Sequence, residues 1–375
     1  MKNKAPLIAL VAKTLGSILL ACIAFVVFSI VWFTAGRSSD FAAQRKRMSE
    51  LRSSPATASA SLAADLAIPD NISLASLRYL ATHNSYHRSP DPLRLFFIGL
   101  VEPEWPEKLA YSHPSPTTQL ESGLRSFEFD IRPRKDGFVL AHVPLVDDRS
   151  DIPDFGLALE EIALWSDRNP GHVPLILLLE LKEDYSFLDP ALGRWDVEAF
   201  DRLDKALRRG LGGKLFAPDE LRGGAASLSS ALARRGWPSV GETRGRILVI
   251  LHQNETYRRI YTEGRPSLEG RAMFDCAPPG SPDEAVAILN DPIGDSVEIA
   301  ELSAKDILVR TRADSDLKHS SDMLAAALAS GARIISTDYP PGRPASDGYA
   351  ASLPGGKMFD IVSKAVGGRT RTTGQ

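Results

Sequence analysis

Cysteine is scarce in this chain: Cys22 and Cys276 are its only two, one inside an apolar N-terminal run and one far along the later sequence. That pair does not support an internal disulfide framework and leaves the redox compartment open. An excess of either charge is also missing, with 44 Lys and Arg against 47 Asp and Glu and a formal net charge of -3. Without a basic field, nucleic-acid binding has no global electrostatic support. No Gly-rich phosphate turn follows the first predicted strand, which ranks an open doubly wound sheet below a closed barrel. What is present is a globular composition, 43% hydrophobic and 24% charged, enough for a substantial core in one large domain or two ordinary ones.

The N-terminus carries a long apolar run. Thr14 to Gly36 contain no charge, and Lys2, Lys4 and Lys13 precede them. The run is long enough to span a bilayer and exceeds the ~7–15 apolar residues of a signal-peptide core. An uncleaved single-pass anchor with an extracytoplasmic catalytic part is the favoured reading, and a cleaved secretory signal is its rival. The run continues past Cys22 of "LLAC", which argues against lipoprotein-type cleavage there. Arg37, Arg45, Lys46, Arg47 and Arg52 crowd the far flank and weaken any positive-inside argument. Residues 37–70, containing "RSSPATASASLAA", read as a Ser/Ala-rich tether outside the fold, residues 71–368 as the folded domain and 369–375 as a flexible tail.

Eight short apolar or β-branched runs then recur between segments of helical periodicity. They are "RYLATH" (78–83), "LRSFEFDIR" (124–132), "FVLAH" (138–142), "PLILLLELK" (174–182), "RILVILHQN" (246–254), "RAMFDCA" (271–277), "DILVRTR" (306–312) and "ARIISTDYP" (332–340). Helices are predicted over Leu157–Trp165, before "DRNPG", and Asp322–Ser330, with Ser321 as N-cap and Gly331 as stop. A run such as "LILLL", apolar on both faces, suits a helix-covered parallel sheet. Eight such strands over roughly 300 residues predict a (β/α)8 TIM-like barrel.

Chemistry in a barrel gathers at the C-terminal ends of its strands. The unusual polar residues fall there: His83 and Asn84 after the first predicted strand, Glu128 and Asp130 in the second, His142 after the third, Glu180 and Lys182 in the fourth. Alternation puts Glu128 with Asp130, and Glu180 with Lys182, on one face. Three carboxylates and an amide oxygen form a hard set that suits Ca²⁺ and also accepts Mg²⁺. Ordinary ion pairs with Arg125, Arg132 or Lys182 explain any one carboxylate equally well, but not polar groups in four consecutive strands.

"THNSYH", "YSHPSPTTQLESGLRSFEFDIR", "GFVLAHVPLVDD" and "WSDRNPGHVPLILLLELK", with the later "RGRILVILHQN", "RPSLEGRAMF", "VRTRADSD" and "ALASGARIISTDYP", resemble the bacterial calcium-dependent phosphatidylinositol-specific phospholipase C family. The resemblance runs in order from about residue 75 to 340. It implies a membrane phospholipid substrate and a phosphodiesterase site in which His83 and His142 are the histidine pair and Asn84, Glu128, Asp130 and Glu180 the Ca²⁺ ligands. His252 stands where that family's pattern tends toward an acidic residue. Two histidines can remove a proton from an inositol 2-hydroxyl and return one to the leaving diacylglycerol oxygen, with His83 assigned as base and His142 as acid.

Lys182, Arg310 and Arg312 are candidate phosphate or inositol contacts, with rim salt bridges as the alternative for the two arginines. Asp338 either orients a histidine, binds a sugar hydroxyl or forms a turn. His87 and His113 read as structural, and Cys276 as a small apolar residue. Two rivals to the leading reading are a glycerophosphodiester phosphodiesterase, whose usual opening resembles His-Arg-Gly rather than "HNSY", and an inactive barrel that binds phosphoinositide headgroups. Finally, "PLRLFFIGLVEPEW" (92–105) is either a packed helix or an apolar element whose Leu95, Phe96, Phe97 and Ile98 enter a bilayer interface.

Overall fold

The structure, a computed structural model, describes residues 5–362, so the expected tail at 369–375 lies outside the described residues. Eight parallel strands form the barrel: β1 Leu77–Thr82, β2 Ser126–Arg134, β3 Leu175–Leu181, β4 Ile247–His252, β5 Phe274–Asp275, β6 Val286–Ile288, β7 Leu308–Arg312 and β8 Ile334–Thr337. Pairing runs in chain order, and β8 returns to β1 through Tyr79↔Ile334 to Thr82↔Thr337. β5 and β6 touch through the single bridge Cys276↔Val286, so the ring is nearly closed. In β3 all but Glu180 of "LILLLEL" are buried, as expected for a strand sealed by helices outside and side chains inside.

Seven of the eight predicted strands lie in this ring; the eighth is a correction. "FVLAH" is not the third barrel strand. Gly137–Leu140 turns back antiparallel onto the end of β2, with Ile131 opposite Leu140. Only Lys135 and Asp136 separate the two segments, a hairpin length, whereas a parallel crossover needs a dozen or more residues. The place is taken by β6, whose three residues are too short for a periodicity signal. The two predicted helices are observed at Phe155–Arg168, capped by Asp154, and Ser321–Ala329, capped by Ser320, with Gly331 at φ +90 after the second.

The N-terminal segment departs from a free tether. Helix α1, Ala5–Ser53, continues without a break from the apolar run into the first half of the expected linker. Ser29, Phe33, Asp40, Gln44 and Met48 recur on one face and are buried against the barrel. Asp40 pairs with Arg88 and Arg149, Arg47 with Glu161, and Gln44 exchanges hydrogen bonds with the Asp154 backbone. The charges that made residues 37–53 resemble a solvated linker are the groups that dock it. Helix α2, Leu62–Leu66, then sets Asp65 against Arg125 in an ion pair with no solvent exposure on either side chain.

The apolar stretch after β1 is helix α3, Pro92–Val101, followed by the short helix α4, Trp105–Leu109. Of the four residues expected at an interface, Ile98 is buried, Leu95 is half-buried and Phe97 packs between Phe25 and Phe33 of α1, while Phe96 stays exposed together with Leu100 and Val101.

Candidate active site

Strand register assembles one half of the site. Asp130 on β2 sits beside Glu180 on β3, and Glu180 beside His252 on β4, so three polar residues form a row across adjacent strands. Glu128, two residues before Asp130, shares its face. One ligand atom each from Glu128, Glu180 and His252 lies within 4.8 Å of the others. His252, which departs from the acidic pattern, therefore belongs to this cluster, with Nδ1 3.6 Å from Glu180 Oε2.

Asn84 Oδ1, Glu128 Oε1 and both carboxylate oxygens of Asp130 are buried with no hydrogen-bond partner among the described residues. Asn84 holds a left-handed backbone, φ 46, and its amide donates to Tyr111 Oη at 3.1 Å. Burial raises the Asp130 pKa despite the nearby Lys182 ammonium. Burial also opposes the charge on Glu180, but His252 and Lys182 hold it well below the usual carboxylate range. Unsatisfied hard oxygens in a low-dielectric site are what a divalent cation would relieve, and the gathered carboxylates of Glu128 and Glu180 fit Ca²⁺, while Asp130 and Asn84 stand outside that trio. The one soft departure is the His252 nitrogen.

The other half holds the histidines. His83 follows β1, and its Nδ1 is 2.7 Å from Asp338 Oδ1, after β8. Asp338 is buried, yet the His83 imidazole and the Leu317 N–H hold its pKa well below the ordinary value. An ionised Asp338 keeps a proton on His83 Nδ1 and leaves Nε2 as the working nitrogen. That Nε2 is 3.9 Å from Glu128 Oε1 and 3.3 Å from an Arg312 nitrogen.

His142 lies just past the antiparallel hairpin rather than on a barrel strand, with Nδ1 2.7 Å from Asp147 Oδ2. The other Asp147 oxygen is 2.9 Å from His87 Nε2, whose second ring nitrogen meets the Tyr111 carbonyl at 3.1 Å. Burial alone would lower the His142 pKa, but the hydrogen bond and charge of Asp147 outweigh it and the net shift is upward. His83, His142, Asn84, Tyr111, Trp105 and Lys108 line a cavity of about 290 Å³ at the C-terminal mouth of the barrel. A groove of about 600 Å³ at the opposite end, lined by Ser122, Gly123 and Met358, contains no comparable side-chain cluster.

Both histidines thus face one cavity beside the acidic cluster. Lys182 bridges it, 2.7 Å from Glu180 Oε1 and 3.5 Å from Asp130 Oδ2. Arg310 differs from its expected role as a substrate contact. It is buried and committed to Glu128, Asn290 and Ser336. Arg312 is half-buried beside His83 and also bonds Ser315. Asp147 carried no sequence signal beyond its place in "VPLVDD", and Tyr111 and Trp105 carried none. His113 is buried with no hydrogen-bond partner at either nitrogen among the described residues, and burial pushes its pKa down to about 3. Burial pushes the Cys276 thiol up, in keeping with an unreactive residue.

The fold resembles solved calcium-dependent phospholipases of bacterial origin. A calcium-dependent phosphoinositol-specific phospholipase C from the Gram-negative bacterium Pseudomonas sp. aligns with a TM-score of 0.55 and 18% identity over 82% of this chain and 99% of that one. A Ca²⁺-dependent phosphatidylinositol-specific enzyme from Streptomyces antibioticus aligns with a TM-score of 0.50 and 19% identity over 70% and 94%. No curated protein sequence matches the chain. The family profile of Ca²⁺-dependent phosphoinositide phospholipase C matches residues 72–137 and 132–361. That match runs through all eight barrel strands, and the chain belongs to the Ca²⁺-dependent phosphoinositide phospholipase C family.

Proposed function

We propose that the protein cleaves phosphatidylinositol or a related inositol phosphodiester in a membrane, with His83 and His142 as the proton-transfer pair. The observation that carries this reading is the geometry of the two imidazoles, each braced at Nδ1 by a buried carboxylate and both facing one cavity. His83 Nε2 accepts the proton of the inositol 2-hydroxyl, whose oxygen attacks phosphorus. His142, kept protonated by Asp147, returns a proton to the diacylglycerol oxygen as the P–O bond breaks. Arg312 and Lys182 offset negative charge at the mouth. Asn84, Glu128, Asp130 and Glu180, with His252 alongside, would hold the divalent cation. A bound Ca²⁺ supplies positive charge to the phosphoryl oxygens and acidifies the attacking hydroxyl.

The uncharged stretch of α1 supports a further part of this reading, a single membrane anchor, and a barrel outside the cytoplasm is proposed with it. The deciding experiment is a product assay of the full chain in mixed micelles of phosphatidylinositol, and separately on glycerophosphodiesters, after chelation and with Ca²⁺ or Mg²⁺ restored. Diacylglycerol and an inositol cyclic phosphate, formed only with Ca²⁺, are expected. Glycerol phosphate release alone would establish the glycerophosphodiesterase reading instead. Headgroup binding without any product would establish a scaffold.

A further inference from the structure

Asp147, which braces His142 at Nδ1, lies in a tight segment between the antiparallel hairpin and the helix Phe155–Arg168. Val143 and Asp147 exchange backbone hydrogen bonds at 3.0 and 2.9 Å, and Leu145 between them holds a left-handed backbone, φ 70. From the barrel side this turn is held by His87, whose Nε2 is 2.9 Å from Asp147 Oδ1 and whose backbone forms an antiparallel bridge with Ser150.

Its outer side is held by α1. Phe33, Arg37 and Asp40 follow one another at i, i+4 and i+7, a single helix face. Asp40, only 1% exposed, accepts from Arg88 Nη1 at 3.0 Å, from Arg149 Nε and Nη2 at 2.5 and 2.8 Å, and from the Ser150 N–H at 3.4 Å. Arg88 directly follows His87, and Arg149 lies just past Asp147, so one carboxylate ties together the two chain segments that meet at the Asp147 side chain. About two turns earlier in α1 the Phe33 carbonyl accepts from Arg94 Nη2 at 2.7 Å. The same guanidinium donates to the Leu145 carbonyl at 3.3 Å and to Asp148 at 3.1 Å, and Arg37 adds a looser pair to Asp148 at 3.8 Å.

We propose that Asp40 is a positioning residue for the catalytic acid: by clamping Arg88 and Arg149 it fixes the turn 143–150, and with it the Asp147 carboxylate against His142. α1 is then part of the framework of the active site and not only a tether. This rests on the reading that His142 protonates the leaving diacylglycerol oxygen. Asp40 touches neither the substrate nor the imidazole, and its effect passes through Arg149 and the turn. An acid bonded to its carboxylate at 2.7 Å is aimed by it, and a misplacement of about 1 Å in such a group costs up to ~10²-fold in rate.

The test uses the full chain in mixed micelles, with Asp40→Ala, Gln44→Ala and His142→Ala compared with wild type. Gln44→Ala is the control for docking, since Gln44 joins α1 to the Asp154 backbone, outside the turn. In Asp40→Ala the released Arg88 and Arg149 side chains, 45% and 15% exposed, can turn to water while Gln44 and Arg47 still hold α1, so circular dichroism should match wild type. Hydrogen exchange over 143–151 should be at least about tenfold faster in Asp40→Ala and unchanged in Gln44→Ala. Turnover is then read on soluble short-chain phosphatidylinositol and on inositol 4-nitrophenyl phosphate, whose phenolate leaves without an acid. Asp40→Ala should lower kcat on the first roughly tenfold with KM unchanged, and stay within about twofold of wild type on the second. His142→Ala should show the same dependence on the leaving group, more strongly.

Wild-type exchange in Asp40→Ala overturns the clamp. Faster exchange with undiminished kcat, or an equal loss on both substrates, overturns the positioning role. Equal loss on both substrates in His142→Ala, or a wild type that cleaves neither, sinks the acid reading instead, and the exchange rates, read without turnover, still decide the clamp.

Discussion

At the scale of single residues, the site is two imidazoles that differ in what surrounds them. A positioned acid or base contributes roughly 10²–10⁴ in rate, so His83→Ala and His142→Ala should each lower kcat by that factor. Circular dichroism and the melting temperature should stay near wild type, because both rings are partly exposed at a cavity rather than packed in the core. Full activity in the double variant would exclude the mechanism. Asp147 provides a more specific test. It raises the His142 pKa, so the protonated acid survives to higher pH than an isolated imidazole would allow. An acid must be protonated to work, so activity falls as pH rises through that pKa. Asp147→Asn removes the anion, and the alkaline limb of kcat/KM should move to lower pH. A limb that does not move would assign it to another group.

At the scale of elements, short helices decide more than their length suggests. α2 has five residues, yet it supplies Asp65 to Arg125, which also donates to the Leu120 and Leu124 carbonyls and lies 4.7 Å from the Trp165 ring. Removing one partner of a buried pair leaves the other charge uncompensated, a loss of ~3–5 kcal/mol. Asp65→Ala should therefore lower stability in urea by that amount, while a substitution at the exposed Thr57 nearby, Thr57→Ala, changes it by less than about 0.5 kcal/mol. Equal effects would show that α2 is peripheral. The same logic places the start of the folded unit upstream of residue 71, because α1 from Ser29 onward and α2 both bury side chains against the barrel.

At the scale of the whole molecule, a cation held by the acidic row would couple metal binding to folding. A ligand that binds only the native state stabilises it by about 2.7 kcal/mol at a concentration of 100 times its Kd. Added Ca²⁺ should raise the melting temperature of the full chain, and a chelator should reverse the rise. Asp130→Asn should abolish most of that shift and weaken Ca²⁺ binding in calorimetry while the barrel remains folded. A wild-type melting temperature indifferent to Ca²⁺ would argue that Lys182 and Arg310 already neutralise these carboxylates, since they pair with Glu180, Asp130 and Glu128 in the structure.

The sequence by itself determined the barrel and nominated the candidate residues of its site, because both are written in local signals. Runs apolar on both faces mark buried parallel strands, and polar residues at their ends mark the mouth. His83, Asn84, Glu128, Asp130, His142, Glu180 and Lys182 all came from that pattern. It misplaced one strand where the chain turns back in a hairpin at Lys135 and Asp136, and it missed the three-residue β6, whose pairing depends on its neighbours rather than on its own pattern.

Only the tertiary structure decided what each polar group faces. Asp147 bridges two histidines, Asp338 reaches His83 across 255 positions of chain, and Arg310 spans the barrel to Glu128. None of these contacts has a spacing that could announce it. The charges of residues 37–53 showed the same limit: as a string they suit a solvated linker as well as a docked helix, and what separates the two is whether a complementary surface waits on the barrel. Long-range pairing depends on where the chain brings distant groups together, and composition and periodicity carry no record of that.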